Sequence, residues 1–267
     1  MIEWYQAIIL AIVQGLTEFL PISSSAHLAM SPILLGWTDQ GLAFDVAVHV
    51  GTLSAVLVYY RQDLICMARS WFASLAGGAA DNDSRLVWYL AVASLPVVVV
   101  GLTANEFIAN ELRSLFVIAT TTLLFGLLLG LADKRARGPS ANVKLTLSIA
   151  LIIGLAQALA PIPGVSRSGV TITAALLLGM DRQSSARFSF LLSIPVIAGA
   201  GCLMAVEVIQ GSAIVNGWQL AVAAMVSGLT AYLCIAVFIR LLDRVGLMPF
   251  VYYRVFLAAV LYLLVFI

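Results

Sequence analysis

The chain has 267 residues, of which 62% are hydrophobic and only 10% charged. Soluble domains carry closer to a quarter charged residues, so the composition excludes an ordinary water-soluble domain and implies a polytopic membrane protein. A formal net charge of +1 provides no basic surface for nucleic acid, which is not expected as a partner.

In chain order, the first element is a broken apolar segment, Ile2–Leu35, interrupted by a polar island from Gln14 to His27. It lacks a basic stretch ahead of it and a small-residue cleavage site, so no removable signal peptide is expected. Three clean apolar runs follow, Phe44–Tyr60, Leu86–Thr103 and Leu115–Ala132, each near the roughly 20 residues a bilayer core requires. A second broken segment, Leu145–Gly179, precedes three more clean runs, Phe188–Ile209, Trp218–Ile239 and Phe250–Ile267. Trp71, Trp88 and Trp218 fall at or beyond the ends of these runs, where an interfacial belt places them. Cys66, Cys202 and Cys234 are far apart and form no CxxC pattern, so they read as packing residues. The expected fold is all-α: one integral membrane domain over residues 1–267, with six transmembrane helices and two re-entrant helix-loop-helix hairpins. Irregular backbone at membrane depth is tolerated only where protein or a water-filled cavity surrounds it.

The basic residues test this topology. With six crossings and two hairpins, one side receives Arg61, Arg69, Arg85, Lys134, Arg135, Arg137, Lys144, Arg182, Arg187, Arg240, Arg244 and Arg254. The other receives only Arg113, beside Glu106 and Glu111, and Arg167 falls on neither. By the positive-inside rule the rich side is cytoplasmic and both termini face outward. If both broken segments crossed fully, much of this asymmetry would vanish.

The halves also resemble one another. Gly15-Leu16-Thr17-Glu18-Phe19-Leu20-Pro21-Ile22 aligns with Gly154-Leu155-Ala156-Gln157-Ala158-Leu159-Ala160-Pro161-Ile162 with one residue inserted, and three spans follow each hairpin. An odd number of crossings per half makes the repeats, about 1–133 and 141–267, inverted in the membrane. Such folds place their site near the midplane, where broken helices from each half approach.

Gln14 and Glu18 are four residues apart and share one helix face. Pro21 ends that helix, and a new one begins after Ser23, Ser24 and Ser25, with His27 in its first turn. In the second island Pro163-Gly164 ends one half-helix and Ser166 or Ser168 starts the next, with Arg167 at the junction. A cation near the midplane costs roughly 2.5–3.5 kcal/mol on insertion scales and so marks a functional site. Two helix N-termini would offer N–H groups to an anion, and Arg167 adds a fork suited to phosphate. Glu18 beside an anion makes sense if a divalent cation, Mg2+ or Ca2+, lies between them. His49 and Asp45 stand close in height to the first hairpin.

The Gln14-xxx-Glu18 pair, Pro-Ile-Ser-Ser-Ser-Ala-His at 21–27 and Pro-Gly-Val-Ser-Arg-Ser-Gly at 163–169 resemble the motifs of undecaprenyl pyrophosphate phosphatases, the bacitracin-resistance-type integral membrane enzymes. The resemblance runs from end to end. It implies hydrolysis of undecaprenyl pyrophosphate to undecaprenyl phosphate and inorganic phosphate, recycling the lipid carrier for cell-wall synthesis. It further implies a bacterial plasma-membrane location, a site facing the periplasm or cell exterior, and divalent-cation dependence. Gln14 stands where the family also carries Glu, which leaves Glu18 as the only certain carboxylate of the pair.

The expected catalytic set is Ser24, His27, Glu18 and Arg167. Substrate contacts are expected from Arg167, Ser166, Ser168, Ser23, Ser25, Gly164 and Gln14, and cation ligands from Glu18 and Gln14. Ser24 as nucleophile with His27 as its base, and His27 activating a water or attacking directly, both remain open. The partners are a prenyl pyrophosphate and membrane lipids; the oligomeric state is open, a homo-oligomer included. The rival reading is an inverted-repeat transporter or flippase of an anion or lipid phosphate, which demands alternating access rather than a nucleophile beside a base.

Overall fold

The computed structural model describes residues 2–136, 143–210 and 216–266. Arg137, the start of the second repeat at 141 and 142, and Ile267 at the end of the last expected span lie outside the described residues. Within them the chain is helical and contains no strand. The elements are α1 Trp4–Thr17, α2 Ser24–Leu35, α3 Leu42–Tyr59, α4 Arg61–Leu75, α5 Asn82–Thr103, α6 Asn105–Glu111 and α7 Leu115–Arg135. They continue with α8 Leu147–Gln157, α9 Arg167–Leu177, α10 Arg182–Gln210, α11 Gly217–Val245 and α12 Met248–Phe266.

Among the described residues six helices, α3, α5, α7, α10, α11 and α12, are long and apolar enough to cross a membrane. They coincide with the six expected runs. Their outer faces carry large apolar side chains such as Leu102, Met225, Leu229 and Phe256, all well exposed, as lipid-facing positions should be. Local chemistry sets the starts: Asp81 accepts from the Ser84 amide at 2.8 Å, and Ser114, Thr146 and Asn216 cap α7, α8 and α11 in the same way. Helix α10 begins at Arg182 and α11 runs to Val245, so both carry charged turns beyond their apolar cores.

Helix α4 was not expected. Its Arg61, Asp63 and Arg69 lower the mean hydropathy of the segment, so it does not stand out as an apolar run. It lies against α5 through Trp71 and Trp88, whose rings are 5.9 Å apart, and ties to α10 through an Asp63–Arg187 ion pair at 2.8 Å.

Close backbone approach holds the bundle together. Helix α3 packs most extensively on α11, where Gly51 and Gly228 leave no room for a side chain, and Ser227 donates to the Val48 carbonyl at 2.9 Å. Gly15 on α1 faces α11, and a Cβ there would sit 2.6 Å from the Ser227 carbonyl oxygen. Gly154 on α8 meets the Ala93 backbone of α5 even more closely. The main core lies between these helices, with Phe19, Phe190 and Phe238 in successive ring contact at 5.2 and 5.7 Å.

Candidate active site

The two broken segments meet turn to turn. Ser168 Oγ donates to the Leu20 carbonyl at 2.9 Å, and Arg167 Nη2 lies 3.1 Å from Glu18 Oε1. Helix α1 ends at Thr17, before Pro21, so Glu18 occupies its C-cap and turns its carboxylate into the junction. Ser23 and Ser166, the residues ahead of α2 and α9, adopt φ of 73° and 71°; among the described residues they are the only non-glycines with positive φ. Of the two candidate caps for α9, Ser166 serves: its Oγ accepts from the Gly169 amide at 3.1 Å. Ser23 makes no such bond to α2, so the first-turn amides of α2 lack a side-chain cap.

Glu18 is the hub. Its Oε2 accepts from Ser24 Oγ at 2.7 Å and from Gln14 Nε2 at 3.0 Å, and lies 3.8 Å from His49 Nε2. Only 6% of the Glu18 side chain and 11% of Arg167 are exposed, so the pair interacts where water screens little. Arg167 also donates to the Ser189 carbonyl at 3.2 Å and sits 5.7 Å from the Phe19 ring centroid. Those contacts fix the guanidinium from below.

His27 makes its hydrogen bonds elsewhere than to Ser24. Its Nδ1 is 2.7 Å from the Ser23 carbonyl, which can only accept, so Nδ1 carries the hydrogen. Nε2 therefore accepts from the Tyr253 hydroxyl at 2.5 Å, with the two rings stacked 5.6 Å apart. Among the described residues no hydrogen bond joins His27 to Ser24; the Ser24 hydroxyl donates instead to Glu18 Oε2.

The remaining expected contacts divide. Ser23 Oγ and Ser25 Oγ are 3.2 Å apart, with Ser25 exposed. Ser166 and Ser168 are buried, one capping α9 and the other joining the two turns. Gly164 (φ 90°) is pressed against α7, where a Cβ would lie 2.6 Å from the Ile118 carbonyl oxygen. It shapes the turn through its missing side chain.

Arg254 corrects the charge census. Expected at the cytoplasmic face, it lies on α12 with no exposed surface. Its guanidinium donates to the Pro21 carbonyl of the first turn at 3.3 Å, and to Gly164 and Val165 of the second at 2.7 and 3.1 Å. It also reaches the Thr122 carbonyl of α7 at 3.0 Å. A usable signal existed: Arg254 stands six residues into a helix that starts at Met248, so about 9 Å along it at 1.5 Å per residue. Tyr253 carried no such signal, because its partner His27 is 226 residues away.

The two broken segments thus bring together a buried Arg–Glu pair and a hydroxyl hydrogen-bonded to the same carboxylate, among helices long and apolar enough to cross a membrane. Comparison with known proteins is specific: the family model described as bacitracin resistance protein BacA matches residues 7–260. The chain belongs to this family. It is 53% identical over 259 residues to the undecaprenyl-diphosphatase of Saccharophagus degradans, covering 97% of each chain. Similar relatives are the undecaprenyl-diphosphatases of Alcanivorax borkumensis and Chromohalobacter salexigens, at 53% and 54% identity, each match covering 97% of this chain and 98% of the relative.

Proposed function

We propose that the chain hydrolyses undecaprenyl pyrophosphate to undecaprenyl phosphate and inorganic phosphate, from a site opening to the outer face of a bacterial plasma membrane. The observation that carries this is the Arg167–Glu18–Ser24 constellation where the two turns meet. In this reading Arg167 is the phosphate-binding fork, Glu18 the base and Ser24 the nucleophile, within one side chain's reach of one another. A carrier would need no hydroxyl held against a carboxylate, and the relatives are named as diphosphatases.

The re-entrant, inverted arrangement is part of this proposal. Gly15 and Gly154, aligned by the repeat, both meet a backbone at the same kind of contact, α1 on α11 and α8 on α5. Ser23 and Ser166 share an unusual left-handed backbone before α2 and α9. Both matches support two copies of one design.

In the mechanism, the terminal phosphate sits against Arg167 and the uncapped N-terminus of α2. Ser24 Oγ attacks phosphorus as its proton passes to Glu18. The anhydride P–O bond breaks and undecaprenyl phosphate leaves. Water then cleaves the phosphoserine, releasing inorganic phosphate and restoring Ser24. A second reading has support in the hydrogen-bonding of His27: with Nδ1–H tied to Ser23 and Nε2 accepting from the Tyr253 hydroxyl, a proton from water can reach Nε2 by way of that hydroxyl.

A divalent cation fits the residues present. Gln14 Oε1 is buried with no hydrogen-bond partner, on the same amide whose Nε2 donates to Glu18 Oε2 at 3.0 Å. Glu18 and Gln14 would hold the ion, which supplies charge neutralisation and Lewis acidity toward phosphate oxygens.

The test is phosphate release from undecaprenyl pyrophosphate by purified protein, with trapping of the phosphoenzyme. Phosphate on Ser24 is expected. Release without any covalent intermediate would favour the His27 reading, and no release with any divalent cation would refute the function.

A further inference from the structure

Two apolar cavities adjoin along helix α1, and the hydrolysis uses neither. The first, of about 180 Å3, lies between α1 and α2; Ile9 and Val13 form one wall, Met30 and Leu34 the other, and His27 also lines it. The second is a groove of about 470 Å3 at the first turn, where Leu16 and Leu20 face α11 and the start of α12. Its α11 wall runs from Thr230 to Val245, about 22 Å of helix at 1.5 Å per residue, toward the end that carries Arg240 and Arg244. Thr230 and Cys234 are the only polar side chains among its lining residues, and the Cys234 thiol already donates to the Leu16 carbonyl at 3.3 Å. Ile9, Val13 and Leu16 follow one another at spacings of four and three residues, which makes their side chains neighbours on one face of α1. Cleft and groove therefore form one apolar track. It begins beside the candidate site, because His27 shares the first turn of α2 with Ser24.

An undecaprenyl chain is far longer than one leaflet of a bilayer core about 30 Å thick, so a head group held where the two turns meet leaves a tail that must find a path past them. We propose that this track holds the substrate's prenyl chain, its first units in the α1–α2 cleft and its distal units in the α11 groove, and that the groove sets a preference for long chains. This rests on the diphosphatase reading above. Bulk lipid is as apolar as the groove, so the groove's hold on a chain comes from packing and not from escape from water. A chain tethered by its head group at Arg167 brings its distal units to the groove at a high effective concentration, an advantage that a free membrane lipid lacks.

The experiment measures phosphate release by the full chain in lipid nanodiscs, from undecaprenyl pyrophosphate and from farnesyl pyrophosphate, whose short chain would end in the upper cleft. Val237→Trp obstructs the groove from a position that is 56% exposed, where the fold has room for the larger ring. It should raise KM for undecaprenyl pyrophosphate about tenfold, the low end for a misfit in an apolar pocket, with kcat unchanged. KM for farnesyl pyrophosphate should hardly move. Leu241→Trp, a second obstruction of the same groove, should act alike, whereas Met225→Trp, exposed on the same helix outside the groove, should change neither substrate. Equal shifts for both substrates, no shift in either obstructed variant, or the same shift with Met225→Trp overturns the assignment and leaves the groove to membrane lipid. Release from neither substrate by the unaltered protein overturns the diphosphatase reading, and this proposal with it. Retained helical circular dichroism checks the fold of each variant.

Discussion

Replacing Arg254 with methionine should cripple the protein although this residue lies on neither broken segment. Methionine keeps an apolar stem of comparable length and removes every donor. The α7 carbonyls of Thr121 and Thr122 stay within a helix, but those of Pro21, Gly164 and Val165 lie in the turns and take their hydrogen bonds from Arg254. Each buried carbonyl left without a donor costs about 1–3 kcal/mol, so Arg254→Met should lose about 3 kcal/mol or more. At roughly 2–4 °C per kcal/mol for a chain of this size, the thermal midpoint should fall by about 6–12 °C. Arg254→Lys, a point donor without the planar fork, should recover only part of that. Thermal unfolding in detergent measures the first effect. Phosphate release below the melting range measures the second, and should drop more than about 100-fold, because misplacing reacting groups by an ångström is that costly. A variant that melts within 2 °C of the parent, or keeps a third of its rate, would refute the clamp.

Other outcomes follow from the same geometry. Arg167→Lys keeps the charge but loses the bidentate fork, and phosphate release should fall about 10²–10³-fold, the usual cost of an anion-stabilising donor. Tyr253→Phe removes the hydroxyl that donates to His27 and should lower kcat about tenfold, equivalent to one hydrogen bond of ~1.4 kcal/mol, with KM little changed. If His27 is a bystander, that rate will not move. Gly154→Ala drives a methyl group into the Ala93 backbone and should destabilise by about 1–3 kcal/mol, whereas Gly101→Ala, which meets nothing, should be neutral or stabilising.

The spans were legible because each is a sustained apolar run, and that signal survives any packing arrangement. Glu18, Ser24 and Arg167 were legible for the opposite reason: a polar group in an apolar run must have a partner, and the two islands were available to each other. Pairing inside the site was not legible. Ser24 and His27 are three residues apart on one helix, and spacing favoured their partnership. The left-handed turn at Ser23 instead points Ser24 back at Glu18 and leaves His27 to Tyr253. Arg254 escaped because charge counting assigns a residue near a span's end to the nearer face. Helix α4 escaped because its three charges dilute the apolar pattern that elsewhere reveals a helix.

Ser23 and Ser166 set durability against performance at the same two positions. An L-residue with left-handed φ costs about 1–2 kcal/mol that glycine would not, so either serine changed to glycine relieves the backbone. At position 166 the same change removes the hydroxyl that caps α9, and at 23 it loosens the turn that aims Ser24. Selection for heat resistance alone should therefore favour glycine at 23, where no cap is lost, and yield a sturdier protein that works less well.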